Sequence, residues 1–340
     1  MNPVLAPAVQ SKLRGQLVDR RTRLESTIAS LDQPADLLRL LNEVDTALSR
    51  LDGKDYGVCA VCHEEIEEGD LLANPMSTYC LCKLTPERQR ALERDLDLAW
   101  QVQAALLPTP GLAAAGWRTS YRYLPHGPVS GDYCDLIVAD GGAAGLYFML
   151  GDVSGKGVAA SLLMAHLNAS LRAFARSSLS PQEVITQADR LLGESTLASH
   201  YVTLVCGRAS ASGEIEIVNA GHCAPVVVRS SGSVEVLETA GLPLGLAIAS
   251  GPGALYPVET IVLRDGDLLL LYSDGLTEAA NGVEDEYGRD RLLNVLAHGR
   301  VSEPRELIGK CLADLASFLE GGALNDDLTL LALGRPGLPV

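Results

Sequence analysis

Apolar residues in the first third of the chain recur in steps of four and three, whereas beyond Gly111 they gather into short blocks separated by turn residues. From Leu13, the positions Leu17, Leu24, Ile28 and Leu31 recur at helical spacing, and after Asp32-Gln33-Pro34 the series resumes at Leu37, Leu41, Val44, Leu48 and Leu51. This spacing predicts two antiparallel helices joined by a heptad seam, with Asp32 and Asp36 flanking the turn. A further helix is expected from Thr85-Pro86-Glu87, an N-cap followed by proline at the first helical position, to Leu107, where Pro108 and Pro110 stop it. Its seam of Leu92, Leu96, Ala99, Gln103 and Leu106 suits either a parallel dimeric connector or a helix laid on its own neighbouring domain.

The later blocks read as strands at 118–123, 135–139, 146–150, 201–208, 214–218, 225–229, 268–272 and 328–333. Helical periodicity interrupts them at 158–176, at 181–194 behind the capping box Ser180-Pro181-Gln182-Glu183, and at 305–319. Strands joined by short turns, with helices between groups of them, predict an α+β domain with mainly antiparallel sheets.

A length of 340 residues accommodates one small module and one larger domain. With 47% apolar and 21% charged residues the composition is that of a folded protein. The balance of 27 basic against 43 acidic residues, −16 in all, opposes binding to nucleic acid or an anionic membrane and favours a site that attracts cations. The longest purely apolar run, near Leu268–Tyr272, is far below the roughly 20 residues that cross a bilayer. Met1–Gln10 has neither the basic start nor the long apolar core of a signal peptide, so a cytoplasmic location is expected. Four of the eight cysteines (Cys59, Cys62, Cys80 and Cys82) fall within 24 residues, which points to a metal knuckle instead of disulfides.

Paired thiolates at Cys59/Cys62 and Cys80/Cys82, separated by seventeen residues, can close a tetrahedral Zn²⁺ site that substitutes for a core in so short a segment. The helical hairpin, the Gly57-Val58-Cys59-Ala60-Val61-Cys62 knuckle, that gap and the following helix together resemble the C4 zinc finger of the DksA/TraR family over about residues 8–90. The second knuckle, Cys80-Leu81-Cys82, is one residue shorter than the family's Cys-x-x-Cys, which leaves His63 as an alternative fourth ligand. Family members can insert an acidic hairpin tip into RNA polymerase. Here the acids of the tip are spaced more widely on a short hairpin, so that activity is not carried over.

Four aspartate motifs punctuate the β-rich region: Ser130-Gly131-Asp132-Tyr133, Gly151-Asp152-Val153-Ser154-Gly155-Lys156-Gly157, Ser273-Asp274-Gly275 and Asn325-Asp326-Asp327-Leu328-Thr329. They are expected where strands end. A carboxylate beside glycine there can point into a shared cleft while the missing side chain lets backbone and ligand approach. Any one Asp-Gly is as well explained by a turn. Converging, they would need neutralisation, and two Mg²⁺ or Mn²⁺ ions bridged by a carboxylate and a water would provide it.

Those motifs occur in order with Gln103–Pro108, Ala159–Met164, Val218-Asn219-Ala220-Gly221-His222, Gly241-Leu242-Pro243-Leu244-Gly245 and Leu271–Glu278. On them, residues 110–336 resemble the SpoIIE/RsbU-type serine phosphatases, bacterial members of the PP2C-like metal-dependent superfamily. The resemblance implies a β-sandwich between helical layers with a dimetal centre at one edge. It matches Asp152 to the bridging carboxylate, the Val153 carbonyl to a backbone ligand, Asp132 to the first metal, Asp274 and Asp326 to the second, and Asp327 to the neighbouring position in the motif. A bridging water would then attack phosphorus in line.

Ser130 stands where the family often has glycine and Cys134 where an aromatic is common, both beside a ligand position and not at one. Ser154 replaces the histidine of eukaryotic relatives, leaving water as the candidate acid, and His222 is expected to hydrogen-bond structurally. A P-loop is excluded: three residues, not four, separate Gly151 from Gly155, and Gly157 follows Lys156 where Ser or Thr is required.

The organisation expected is thus a hairpin and zinc finger over 1–84, a connector over 85–109 and a phosphatase domain over 110–336. The resemblance further implies a phosphoserine/phosphothreonine protein phosphatase controlled by its N-terminal region. Its substrate would be a phosphorylated STAS-domain anti-sigma-factor antagonist, and a homodimer is expected. The alternative is a DksA-like transcription regulator, with RNA polymerase as partner and a non-catalytic phosphatase-like half.

Overall fold

The structure, a computed structural model, describes residues 7–28, 35–53, 56–59, 65–78, 86–139, 145–195, 200–246, 256–282, 285–322 and 324–335. The chain forms two compact units divided between Asp95 and Leu96.

In the first unit α1 (Pro7–Ile28) packs on α2 (Ala35–Asp52), followed by the short α3 (Glu68–Ala73). Leu13, Leu17 and Leu24 are buried on α1, and Leu37, Leu40, Val44, Leu48 and Leu51 on α2. The seam therefore includes Leu13 and Leu40, while Leu41 is only half-buried. Leu31, Asp32 and Pro34 lie outside the described residues. Cys59 is buried next to the Val58↔Glu65 bridge, and the amide of Ile66 donates to the Gly57 carbonyl at 2.7 Å. Cys62, His63, Cys80 and Cys82 also fall outside the described residues.

The second unit begins within α4 (Pro86–Leu106) and contains two antiparallel sheets. Six strands are ordered β1 (Ala113–Ala114), β2 (Trp117–Leu124), β11 (Leu328–Gly334), β10 (Leu268–Tyr272), β7 (Val226–Val228) and β8 (Val234–Val236). The other five are β3 (Asp132–Val138), β4 (Leu146–Val153), β5 (Val202–Ala209), β6 (Glu214–Ala220) and β9 (Val258–Val262). Helices α5 (Val158–Arg176) and α6 (Pro181–Ser195) cover the five-stranded sheet, and α7 (Asp274–Thr277), α8 (Arg289–Ala297) and α9 (Pro304–Leu319) belong to the layer on the six-stranded one.

Alternation along each strand explains the layers. In β4, Leu146, Phe148 and Leu150 join the core between the sheets, while Tyr147, Met149 and Val153 face the α5/α6 layer. In β10, Leu269 and Leu271 point between the sheets and Leu268, Leu270 and Tyr272 toward the opposite helices. Both faces of these central strands are covered, so their sequences are continuous apolar runs.

Helix α5 is long and apolar enough, by length and composition, to cross a membrane. In this fold Ala160, Met164, Leu167, Leu171 and Ala175 bury one of its faces, and the helix packs on β3 and β4. Helix α6 starts at the expected capping box: the Ser180 amide donates to Glu183 Oε2 at 2.8 Å and the Glu183 amide to Ser180 Oγ at 3.3 Å. The exposed Glu183 carboxyl is held below its usual range by the hydrogen bonds that the Ser180 amide and hydroxyl donate to it.

Candidate active site

At one end of the inter-sheet space the inward-facing positions turn from apolar to polar. Asp132 shares its face of β3 with Cys134 and Leu136, and Asp152 shares its face of β4 with Leu146, Phe148 and Leu150. Asp132 is the register partner of Asp152, which in turn lies opposite Thr203 on β5. Directly opposed residues place their Cβ atoms about 5 Å apart on one face, so three neighbouring strands present Asp, Asp and Thr side by side. From the other sheet, Ser273 and Thr329 hold the corresponding ends of β10 and β11: the Thr329 amide donates to Ser273 Oγ at 2.9 Å, and the Thr329 hydroxyl donates to Asp132 Oδ2. Asp132 thereby joins the two sheets. It opens β3, at a strand terminus as expected, because its chain enters the sheet from the cleft end.

The remaining carboxylates come from turns. Asp274 opens α7 directly after β10, and Asp326 and Asp327 precede β11. Asp327 accepts hydrogen bonds from the amides of His126 (2.7 Å) and Gly131 (3.0 Å), and Asp326 Oδ1 accepts one from the Asp327 amide at 2.9 Å. Gly275 permits this assembly, since a Cβ there would sit 1.9 Å from the Asp327 carbonyl oxygen. Lys156 reaches across from the turn after β4 and pairs with Asp326 Oδ2 at 2.8 Å.

Like charges in a partly dry cleft raise carboxyl pKa values. Burial pushes Asp132 well above the usual range, and the charges of Asp327 and Asp274 add to this against hydrogen bonds from Thr329 and Ser273. Burial also raises Asp152, reinforced by Asp132, Asp274, Asp326 and Asp327. The other four aspartates singled out in the sequence are thus within electrostatic reach of Asp152. Among the described residues, no three His, Cys, Asp or Glu side chains close into a ligand cluster as they stand; the Thr329 hydroxyl holds Asp132, and backbone amides and Lys156 hold Asp326 and Asp327. The site still fits hard divalent cations. Its donors are all oxygen, and Gly131 leaves space beside the two groups expected to flank a metal: a Cβ there would stand 3.2 Å from Asp152 Oδ1 and 3.1 Å from the Val153 carbonyl oxygen.

His222 lies behind the cleft, 9% exposed, with Nδ1 2.8 Å from Thr203 Oγ1. Its amide donates to Asn219 Oδ1, and Asn219 Nδ2 donates back to its carbonyl. Burial lowers its pKa to about 4, with the Tyr272 carbonyl opposing the shift. It is a neutral, hydrogen-bonded imidazole that ties Thr203 to the β6 turn.

Several contacts were not assigned from the sequence. Gln103, buried on α4, donates to the Ser130 carbonyl at 2.7 Å and accepts from its amide at 3.0 Å, two residues from Asp132. Arg172 of α5 forms a double hydrogen bond with buried Asp135 at 2.6 and 2.9 Å and donates to the Leu106 carbonyl at 3.1 Å. Polar residues inside otherwise apolar patterns, namely Gln103 in the α4 seam, Asp135 in β3 and Thr329 in β11, were the available signals. The seam's Gln103 faces its own domain, while Leu98 and Val102 on the same helix are exposed.

Two facing antiparallel sheets between helical layers, with aspartates at one end of the space between them, define a PP2C-like phosphatase fold. The SiaA-PP2C domain of Pseudomonas aeruginosa shares it, with a TM-score of 0.60 at 21% identity over 72% of this chain and 97% of that one. The family described as Stage II sporulation protein E (SpoIIE) matches residues 142–336, and the chain belongs to that family. The match includes Asp152, Asp274, Asp326 and Asp327 and begins after Asp132. Among curated relatives, Protein IcfG of Synechocystis sp. is 25% identical over 269 residues, 71% of this chain and 41% of IcfG. Phosphoserine phosphatase RsbU of Bacillus subtilis is 24% identical over 251 residues, 73% of this chain and 72% of RsbU. The chain thus spans less than half the length of IcfG.

Proposed function

We propose that this chain is a Mg²⁺- or Mn²⁺-dependent protein phosphatase acting on phosphoserine or phosphothreonine. The observation that carries the reading is the opposed pair Asp132/Asp152 at the polar end of the sandwich, facing Asp274, Asp326 and Asp327. Asp132, Asp152, Asp274, Asp326 and the Val153 carbonyl would hold the ions, with Asp327 fixing the Gly131 and His126 amides beside them. Two such ions supply charge to hold phosphoryl oxygens and lower the pKa of an attacking water. The protein's own part is to orient these oxygens: the Thr329 hydroxyl fixes Asp132, and the β3–β4 register fixes Asp152 against it.

The substrate we favour is a phosphorylated STAS-domain anti-sigma-factor antagonist in a cytoplasmic signalling pathway; the name of one relative, a phosphoserine phosphatase, supports phosphoserine as the group removed. The N-terminal region would regulate the enzyme, with a structural zinc ion held by Cys59, Cys62, Cys80 and Cys82. The connector provides the route: Gln103 grips Ser130, and the Leu106 carbonyl is held by Arg172 and, at 3.4 Å, by Asn168 of α5. A homodimer formed along α4 would cover the exposed Leu98 and Val102.

The test is Mn²⁺-dependent hydrolysis of p-nitrophenyl phosphate and of a phosphorylated STAS protein by the full chain, beside Asp152→Asn and Asp274→Asn. Activity lost in both variants supports the enzyme. A folded wild-type chain inactive on both substrates, yet retaining RNA polymerase in a pull-down, would favour the binding-protein reading.

A further inference from the structure

Lys156 has a place in this cleft that the phosphatase reading does not assign. The turn that carries it is fixed at both ends. On one side, the Ser154 amide donates to the Tyr201 carbonyl and the Tyr201 amide to Ser154 Oγ, each at 2.9 Å. On the other, α5 begins at Val158, and the Ser161 amide bonds back to the Gly157 carbonyl at 3.1 Å. From this short span the ammonium reaches Asp326 Oδ2 at 2.8 Å and the Asn325 carbonyl at 3.4 Å. Asp326 Oδ1 already accepts the Asp327 amide. Lys156 therefore holds the carboxylate oxygen that the backbone leaves available.

We propose that Lys156 is a positioning residue that competes with a divalent cation for Asp326 and so sets the metal affinity on that side of the cleft. The inference rests on reading the cleft as a metal site. An ammonium and a divalent ion cannot both approach one oxygen closely without strong mutual repulsion. Binding of the ion must therefore loosen the Lys156–Asp326 pair, which also ties the turn leading into α5 to the loop before β11. With side chains 48% and 38% exposed, the pair is solvent-screened, and such pairs correspond to about a two- to five-fold change in an equilibrium constant.

The test is a Mn²⁺ titration of the full chain, read from the electron paramagnetic resonance signal of free Mn²⁺, without substrate. Lys156→Met should tighten binding about two- to five-fold, and Lys156→Arg should restore the wild-type value. In an Asp326→Asn background, Lys156→Met should change nothing, because the carboxylate charge for which ammonium and cation compete is gone. Unchanged or weaker Mn²⁺ binding by Lys156→Met overturns the inference, as does an equal gain in the Asp326→Asn background, which would reveal a through-space charge effect. Unchanged Mn²⁺ affinity together with weaker inhibition by inorganic phosphate would assign Lys156 to the phosphoryl group and overturn it as well. A folded wild-type chain that binds no Mn²⁺ removes the metal site itself, an outcome distinct from failure of the competition alone.

Discussion

The two sheets bring unlike carboxylates to the same cleft. Asp132 and Asp152 sit within ladder-paired strands, on a face that is otherwise the apolar interior of the sandwich, and burial raises both carboxyl pKa values. Asp326 and Asp327 sit in a half-buried loop where backbone amides and Lys156 occupy their oxygens. One side is a rigid concentration of negative charge, expensive to maintain without a cation. The other is an adjustable set whose charge the protein partly satisfies by itself. A site with both kinds can keep its geometry in the ladder and tune its affinity in the loop.

The largest effect expected from this contrast is on catalysis. Asp152→Asn should reduce Mn²⁺-dependent phosphate ester hydrolysis by at least about a hundredfold, the scale of losing a preorganised electrostatic group, with the far-ultraviolet circular dichroism unchanged. Equal activity would show that the ladder side is not the centre of the chemistry.

On β3, the strand of Asp132, Asp135 shows what a buried carboxylate needs when it has its own cation. Arg172→Met should destabilise the fold by about 3–5 kcal/mol in urea unfolding, because Asp135 stays buried without its partner; a loss below about 1 kcal/mol would contradict that account of β3.

Next in size is a pH effect from His222, behind the ladder side. Its folded pKa of about 4 lies below the ordinary value near 6.5, so between them the unfolded chain binds the extra proton. Stability should fall as pH drops through that window, approaching about 1.4 kcal/mol per pH unit. His222→Asn should flatten this part of the profile in thermal or urea unfolding.

The smallest effect belongs to the loop side. Lys156→Met should alter unfolding stability by less than about 1 kcal/mol, since the pair it breaks is half-exposed. A larger loss would mean that the loop is as rigid as the ladder.

Much of this architecture was legible in the chain because period reports burial. The blocks at 146–150, 268–272 and 328–333 became β4, β10 and β11, and the capping box at Ser180 opened α6 as expected. Other elements were not assigned because their patterns are weak or inverted. β8 is three residues long beside a Ser/Gly turn, and the edge strand β9 places Val258 and Val262 outward at 41% and 52% exposure. The short α8 also escaped notice, starting after Gly288 with apolar residues on one side only. For the cleft, the aspartate motifs named the carboxylates, but nothing in their spacing showed that Asp132 and Asp152 would be register partners or that Thr329 would reach Asp132 from the other sheet.

The sequence by itself determined which segments could be buried on one face or two, and placed aspartates beside glycines small enough for close backbone approach. Both are local properties, expressed in side-chain size, polarity and period. Tertiary structure alone decided that inward-facing positions at one end of the sandwich would be the acidic ones, that Gln103 would grip Ser130, and that Lys156 would settle on Asp326. Those facts depend on strand register and on contacts in the site between residues as much as 201 positions apart, and register is set by the collective packing of two sheets and their helices, which no local pattern records.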